Sequence, residues 1–331
     1  MALLDIKNLT LEIETTNGWV KALDKINLSI DAKEVRALVG ESGSGKSLIV
    51  KSIVGALNEG WRIRADRLNW RGIDLTSLSA RERRQITRED ISVIFQNPSN
   101  SLDPTATLGD QLEEAIPEHL IGKGWFWERA KRRKQIVTAQ LHKVGIKNHE
   151  TVINSFPHQI PDDICQKFMI AMALASEPTL LIADDPTKGL ETTTKIQILK
   201  LLTRLNKIKD LSILFVSHDL LAIASIADTM TVLYCGQTVE GGPLMQLKNR
   251  PLHPYTKALL DSAPSFRKDL ESKSELNALE GTIPTLQHLP AGCRLGPRCP
   301  RAQKECVRHP DINYIQNHYF SCHFPLLGSK L

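Results

Sequence analysis

Residues 40–47 read GESGSGKS, directly after the apolar run EVRALV and directly before LIVKSIV. The spacing G-x-x-x-x-G-K-[ST] between a strand and a helix admits few folds. Gly40, Gly43 and Gly45 let the main chain curl, so that successive N–H groups and the start of the helix face one spot, a geometry suited to phosphate oxygens. Glu41, Ser42 and Ser44 complete the loop. Lys46 is placed to reach the outer phosphates of a nucleoside triphosphate, and Ser47 to ligate a magnesium ion. A glycine-rich turn with a stray lysine would not need that strand and that helix on either side.

A second half-site follows in LLIADD. The apolar residues 180–183 predict a buried strand that presents Asp184 at its carboxyl end, where it would hold magnesium, and Asp185 stands where a base would orient the attacking water. Alone, the Asp-Asp pair suits a turn or a cap equally well; beside the glycine loop the functional reading is preferred. LLDIKNLTLEIE, VKALDKINLSI and EVRALVG predict strands. From Pro98 to Ala175 apolar positions recur at helical spacing, which predicts a helical insertion. Strand and helix then alternate through TLLIADD, TTTKIQILKLLTRLNK and SILFVSHD, and TMTVLYCGQTVEGG predicts a hairpin. The alternation implies an α/β core.

The 331 residues suffice for one large domain with an appendage or for two domains, and 41% hydrophobic with 24% charged residues excludes a disordered chain. No apolar run approaches the ~20 residues of a membrane span. The start MALLDIKNLTLEIE has no signal-peptide pattern, so a cytosolic, reducing setting is expected. A net charge of +5, from 42 basic and 37 acidic residues, does not make a nucleic-acid binder. Trp125 to Lys134 reads WFWERAKRRK, either a solvated helix face or a basic aromatic patch for anionic lipid. RKDLESKSELNALEG predicts a linker or surface loop.

In order along the chain, GESGSGKS, VIFQNPSNSLDP, SFPHQ, MIAMALASEPTLLIADDPT, VSHDL and PLHPYT resemble the ABC-transporter ATPases, and over nearly the whole length the oligopeptide/dipeptide importer subfamily. The resemblance implies a P-loop ABC-type nucleotide-binding domain at 1–245: a RecA-like core, an antiparallel β subdomain and a helical subdomain at about 98–175. A cysteine-containing extension at 246–331 would follow. It implies ATP and magnesium, a second ATPase subunit in a heterodimer, two membrane-spanning permease subunits and a periplasmic binding protein, with this chain peripheral on the cytoplasmic side of the inner membrane. Gln96 resembles the glutamine that contacts magnesium and links the site to the permease. His218 resembles the switch histidine at the γ-phosphate. Trp19 resembles the aromatic residue that stacks on adenine, although it suits the edge of a small sheet equally well.

Two departures stand out. Where the family carries L-S-G-G, this chain has Ile160, Pro161, Asp162 and Asp163. Proline lacks an N–H, the glycines for close approach are gone, and two carboxylates stand where a neighbour's phosphate would arrive. As helix caps the aspartates are good chemistry; as phosphate ligands they are not. The family's base is glutamate, and Asp185 is one methylene shorter. The expectation is tight ATP binding, slow turnover at this chain's own site, and two unlike sites in the pair.

Cys293, Cys299, Cys306 and Cys322 are separated by five, six and fifteen residues, a crowding that in a reducing setting suggests metal before disulfide. The resemblance implies a [4Fe-4S] cluster, with structural zinc second. Cys165 and Cys235 are expected to be packing residues. Peptide cargo, including antimicrobial peptides, is implied by the resemblance; polyamine or haem cargo stays open. The rival reading is a soluble ABC-type ATPase acting on nucleic acid or ribosomes, or a regulatory ATP-binding module without transport.

Overall fold

The computed structural model describes residues 2–16, 18–96, 101–263 and 279–326. Most of the predicted linker at 267–281 and the proposed start of the helical subdomain at 98 lie outside those residues. The chain forms two compact units, Met1–Leu78 with Phe215–Leu331, and Ser79–Leu214.

The first unit begins with a five-stranded sheet. β1 (Leu4–Thr15) lies antiparallel to β2 (Gly18–Ile30) and, on its other edge, to β4 (Trp61–Arg64) and β5 (Arg67–Trp70); β6 (Ile73–Asp74) continues from β5. Alternation in LDIKNLTLEIE buries Leu4 and Ile6 and then, after a change of parity where the β1–β2 register shifts at Asn8 (φ 51°), Leu9 and Leu11. β3 (Val35–Val39) is buried at every position and feeds the loop at residues 40–45 and the helix Lys46–Val54. β10 (Thr229–Tyr234) runs parallel to β3 and antiparallel to β11 (Gln237–Pro243). The hairpin expected from TMTVLYCGQTVEGG is therefore present. Its two-residue turn has Cys235 and Gly236 both at positive φ, 46° and 74°, as a tight hairpin with the right twist requires. In the C-terminal part, β12 (Asn313–Ile315) and β13 (His318–Phe320) add antiparallel strands beside β11.

A buried carboxylate ties this part down. Glu240, fully inaccessible on β11, accepts hydrogen bonds from the N–H groups of Leu252 (2.7 Å) and His253 (2.9 Å), and its Oε1 lies 2.6 Å from His318 Nε2. His253 in turn accepts the Tyr255 N–H at Nδ1 and so caps the helix Pro254–Asp261. Burial pulls the His253 pKa down to about 4, against an opposing pull from Glu240.

The second unit is largely helical, with Ala80–Glu89, Leu108–Ala115, Phe126–Lys143 and Asp162–Ala175 as its main members before the strand β8 (Leu180–Asp184). β8 pairs in parallel with β7 (Ile91–Ile94) and is buried along its length. The helix Thr192–Lys209 follows, and β9 (Ser212–Ser217) carries the chain back toward the first unit. Ala80–Glu89 precedes the helical stretch expected from periodicity. Its signal was local: Ser79 and Glu82 form a reciprocal capping box, the S-x-x-E pattern. Trp125, Phe126 and Trp127 are all exposed, with the two indoles stacked at 5.3 Å, while Arg129 and Arg133 pair with Glu118. Cys165 and Cys235 are both buried, in keeping with packing roles.

Candidate functional site

The loop at residues 40–47 has the geometry that its sequence demands. A Cβ on Gly40 would stand 2.2 Å from the Leu233 carbonyl oxygen and 2.7 Å from Ser44 Oγ, so no side chain fits there. Gly43 and Gly45 take φ of 83° and 103°, open to glycine and strained for other residues. Gly45 caps the helix through its backbone alone. That leaves the helix's first N–H groups beside the loop, the arrangement that attracts anions. Lys46 is buried and its Nζ donates to the carbonyls of Gly40 (2.8 Å) and Glu41 (3.0 Å). Engaging phosphate means exchanging those carbonyls for phosphate oxygens. Ser42 and Ser47 are exposed, and Ser44 is buried.

The loop is strapped from behind. The Gly236 N–H donates to the Ser44 carbonyl at 2.7 Å, fastening it to the hairpin turn. The Glu41 N–H donates to the Tyr255 hydroxyl at 2.9 Å. Burial, with the Glu41 charge adding, pushes the Tyr255 phenol far up, so it stays protonated. These partners lie more than 190 residues from the loop in sequence, as Gly236 and Tyr255 show, and periodicity carries no trace of them.

In the same unit, Trp19 is 43% exposed on the edge strand β2, with the Arg62 guanidinium 3.9 Å from its ring centroid. One ring face is thus occupied by a cation–π contact. His218, just beyond β9, is exposed, and the adjacent Asp219 caps the helix Leu220–Ile226 by accepting from the N–H groups of Leu221 and Ala222.

In the second unit, Asp184 ends β8 and both it and Asp185 are buried. Asp185 adopts a left-handed φ of 46°. Its carbonyl accepts the Lys188 N–H at 3.1 Å, and its Oδ2 accepts from Gln96 Nε2 at 3.2 Å. The structure therefore brings together two sequence-predicted residues 89 positions apart. A glutamine donating to the carboxylate helps to orient it.

At the start of Asp162–Ala175 the cap residue is Pro161, with no side-chain cap hydrogen bond, and Asp162 and Asp163 occupy the first turn. The expected capping by an aspartate is therefore corrected: the carboxylates act on the helix through its dipole, not through a cap bond. Their field reaches inward. Burial first, then Asp162 and Asp163, push the Cys165 thiol up to about 11. Ile160 is half-buried and Pro161 exposed.

The four C-terminal cysteines are all free and half-buried, and the Cys293 N–H donates to the Cys306 carbonyl at 3.0 Å. Burial, with the neighbouring thiols of Cys293, Cys299 and Cys306 adding, pushes Cys322 up to about 11 against a lowering bond from the Phe324 N–H. The thiols are thus neighbours. Among the described residues, however, no group of three or more His, Cys, Asp or Glu side chains stands as a metal-holding set. As they stand, the described residues do not form a set that would hold a [4Fe-4S] or zinc centre.

A phosphate loop between a buried strand and a helix, an acidic pair closing a second parallel strand and a helical insertion between them define an ATP-binding cassette, the ATPase component of a transporter. The family model "ABC transporter" matches residues 23–188, and "Oligopeptide/dipeptide transporter, C-terminal region" matches 239–306. The chain belongs to the ABC transporter family, in the branch that carries this C-terminal region. It is 51% identical over 326 residues to the peptide transport system ATP-binding protein SapD of Salmonella typhimurium, covering 98% of each chain. It is 47% identical to SapD of Haemophilus influenzae, covering 98% of this chain and 93% of that one. With the dipeptide transport ATP-binding protein DppD of Escherichia coli the identity is 38%, over 98% of each. Among solved structures, the dimeric bacterial ABC transporter cassette MJ0796 superposes with a TM-score of 0.64 at 26% identity, covering 73% of this chain and 98% of that one. A post-hydrolysis dimer of the same cassette with ADP and Pi gives 0.61 over the same shares.

Proposed function

We propose that the chain is the ATP-binding subunit of a peptide-importing ABC transporter, working from the cytoplasmic face of the inner membrane. The observation that carries this reading is a phosphate loop built as described, in one chain with a C-terminal region of the oligopeptide/dipeptide kind. That region has no place in a soluble ATPase acting on nucleic acid or ribosomes. Among the described residues no helix is long and apolar enough to cross a membrane, which suits a subunit that docks on separate permease chains.

In this reading the loop N–H groups and Lys46 bind the triphosphate, Ser47, Asp184 and Gln96 hold magnesium, and Asp185 orients the attacking water. His218 meets the γ-phosphate, and Trp19 offers its ring to adenine. Magnesium held by these residues would neutralise part of the triphosphate charge. The partner is a second, unlike ATPase subunit, together with two permeases and a periplasmic binding protein. Residues 160–163 contribute nothing to the partner's phosphate, so the two sites are unequal. The four cysteines would be the ligands of a [4Fe-4S] site, or else of a zinc site, and the proximity of their thiols supports this. Visible absorption and metal analysis after anaerobic purification test it, and a colourless, metal-free and folded protein defeats it. For the function as a whole, co-expression with candidate permeases should give a complex that contains this chain, a second ATPase and two permeases and hydrolyses ATP in response to peptide-loaded binding protein. Recovery of this chain only as a free ATPase indifferent to permeases overturns it.

A further inference from the structure

Glu41 places a carboxylate inside the loop proposed to receive a triphosphate, which is unfavourable unless its charge is covered. The structure covers it from the far end of the chain. Arg298, whose side chain is 8% exposed, sets Nη1 at 3.1 Å from Glu41 Oε2 and 3.3 Å from the Tyr234 hydroxyl. The guanidinium is itself held in place: Nε donates to the Glu280 carbonyl at 3.0 Å and Nη2 to that of Leu279 at 3.3 Å. Arg294, four residues earlier, repeats the device on the loop's other support. It donates to the Cys235 carbonyl at 2.5 Å, in the turn whose Gly236 fastens Ser44. All of these contacts lie within one compact unit.

We propose that Arg298 is a positioning residue for the phosphate loop, and that through it the C-terminal segment neutralises and fixes Glu41 and so sets the affinity for ATP. The proposal rests on residues 40–47 being the ATP-binding loop. Lysine would keep the charge at position 298 but lose the fork that bonds carboxylate, hydroxyl and carbonyls together. Arg298 adjoins Cys299, and Arg294 follows Cys293, so any rearrangement of the cysteine segment would be felt at the loop.

The test is equilibrium binding of ATP with magnesium to the full chain at low salt, with Lys46→Ala as the reference for a dead loop. Arg298→Gln is expected to raise the ATP dissociation constant about tenfold, the effect of one uncovered charge near the triphosphate, while kcat at saturating ATP in the assembled complex stays within about twofold. Arg298→Lys should stay within about threefold of wild type in affinity. Adding Glu41→Gln to Arg298→Gln should recover most of the lost affinity, because the charge to be covered is gone. A purely structural arginine would lower thermal stability, yet its loss would not be repaired by Glu41→Gln. The proposal is overturned when a folded Arg298→Gln protein binds ATP like wild type, or when the double variant binds no better than Arg298→Gln alone. Where Arg298→Gln does not fold, Glu41→Gln alone decides: affinity equal to wild type or tighter supports it, and a loss beyond about threefold overturns it. Wild type binding no better than Lys46→Ala would instead defeat the assignment of the loop.

Discussion

Asp185→Glu tests whether reach limits hydrolysis. The carboxylate now sits on a residue held at a φ of 46°, with its carbonyl bonded to Lys188 and its Oδ2 3.2 Å from Gln96 Nε2. One methylene carries a carboxylate about 1.3 Å further along an extended side chain. Productive attack needs reacting atoms about 3–3.5 Å apart, and a misplacement of about 1 Å costs on the order of a hundredfold. If the aspartate is short by that distance, glutamate should raise kcat by about ten- to a hundredfold, with ATP affinity unchanged, since the base acts on the water and not on binding. A cost in stability accompanies the gain, about 0.5–1 kcal/mol, because glutamate tolerates the left-handed region less well than aspartate does. The assay is steady-state phosphate release from the assembled complex, with ATP affinity measured in parallel and Asp185→Asn as the inactive control. An unchanged or lower kcat in a folded, ATP-binding variant refutes the reasoning, and would mean that Gln96 already holds the shorter side chain where it works.

Restoring the family pattern by Ile160→Leu, Pro161→Ser, Asp162→Gly and Asp163→Gly should raise hydrolysis by the assembled transporter about tenfold by recreating donors for the partner's phosphate, read as phosphate release per complex. Gly40→Ala should abolish detectable ATP binding and lower stability by about 1–3 kcal/mol, since its Cβ would meet a backbone oxygen at 2.2 Å; calorimetric titration and thermal melting report the two effects. His253 is neutral and fully inaccessible in the folded chain, with its pKa depressed from 6.5 to about 4, so its contribution is complete above pH 6.5 and is lost as pH falls toward 4, where the unfolded chain takes up the proton. The full loss is about 3 kcal/mol, and His253→Asn, which still accepts the Tyr255 N–H, should flatten denaturation midpoints across that window.

Much of the site was legible because it is local. A strand, three glycines, a lysine and a serine specify the phosphate loop within a dozen residues, and LLIAD specifies a buried strand with its acid at the end. What escaped the sequence is what the chain joins across long separations: Gln96 to Asp185, Tyr255 and Arg298 to Glu41, and Glu240 to His318. No periodicity records which donor meets which acceptor. Only a charge out of place gave a hint, as Glu41 does in a loop meant for anions and Glu240 does on a strand otherwise rich in small and apolar residues. The role of Asp162 and Asp163 at the helix start was misread for a related reason. Sequence preference identifies a residue that can cap, but the turn that precedes it decides which residue does, and here proline takes the position.

The loop and the helix start have diverged in opposite directions. At residues 40–45 the backbone and the charges are provided for, with glycines where side chains would clash or strain, a lysine on the carbonyls and an arginine on the one carboxylate, while the buried Ser44 hydroxyl is left without a hydrogen-bond partner among the described residues. At residues 161–163 the chemistry suits the helix and not an incoming anion. Proline removes a donor, and two carboxylates that favour the helix's positive end offset the field that would attract a phosphate; their charge is felt at Cys165 one turn further in. A selective constraint that kept ATP binding but released phosphate donation would leave this contrast. The asymmetry proposed for the assembled transporter would therefore have a location: in that proposal this chain holds its own nucleotide at residues 40–47 and offers its neighbour's nothing at residues 160–163.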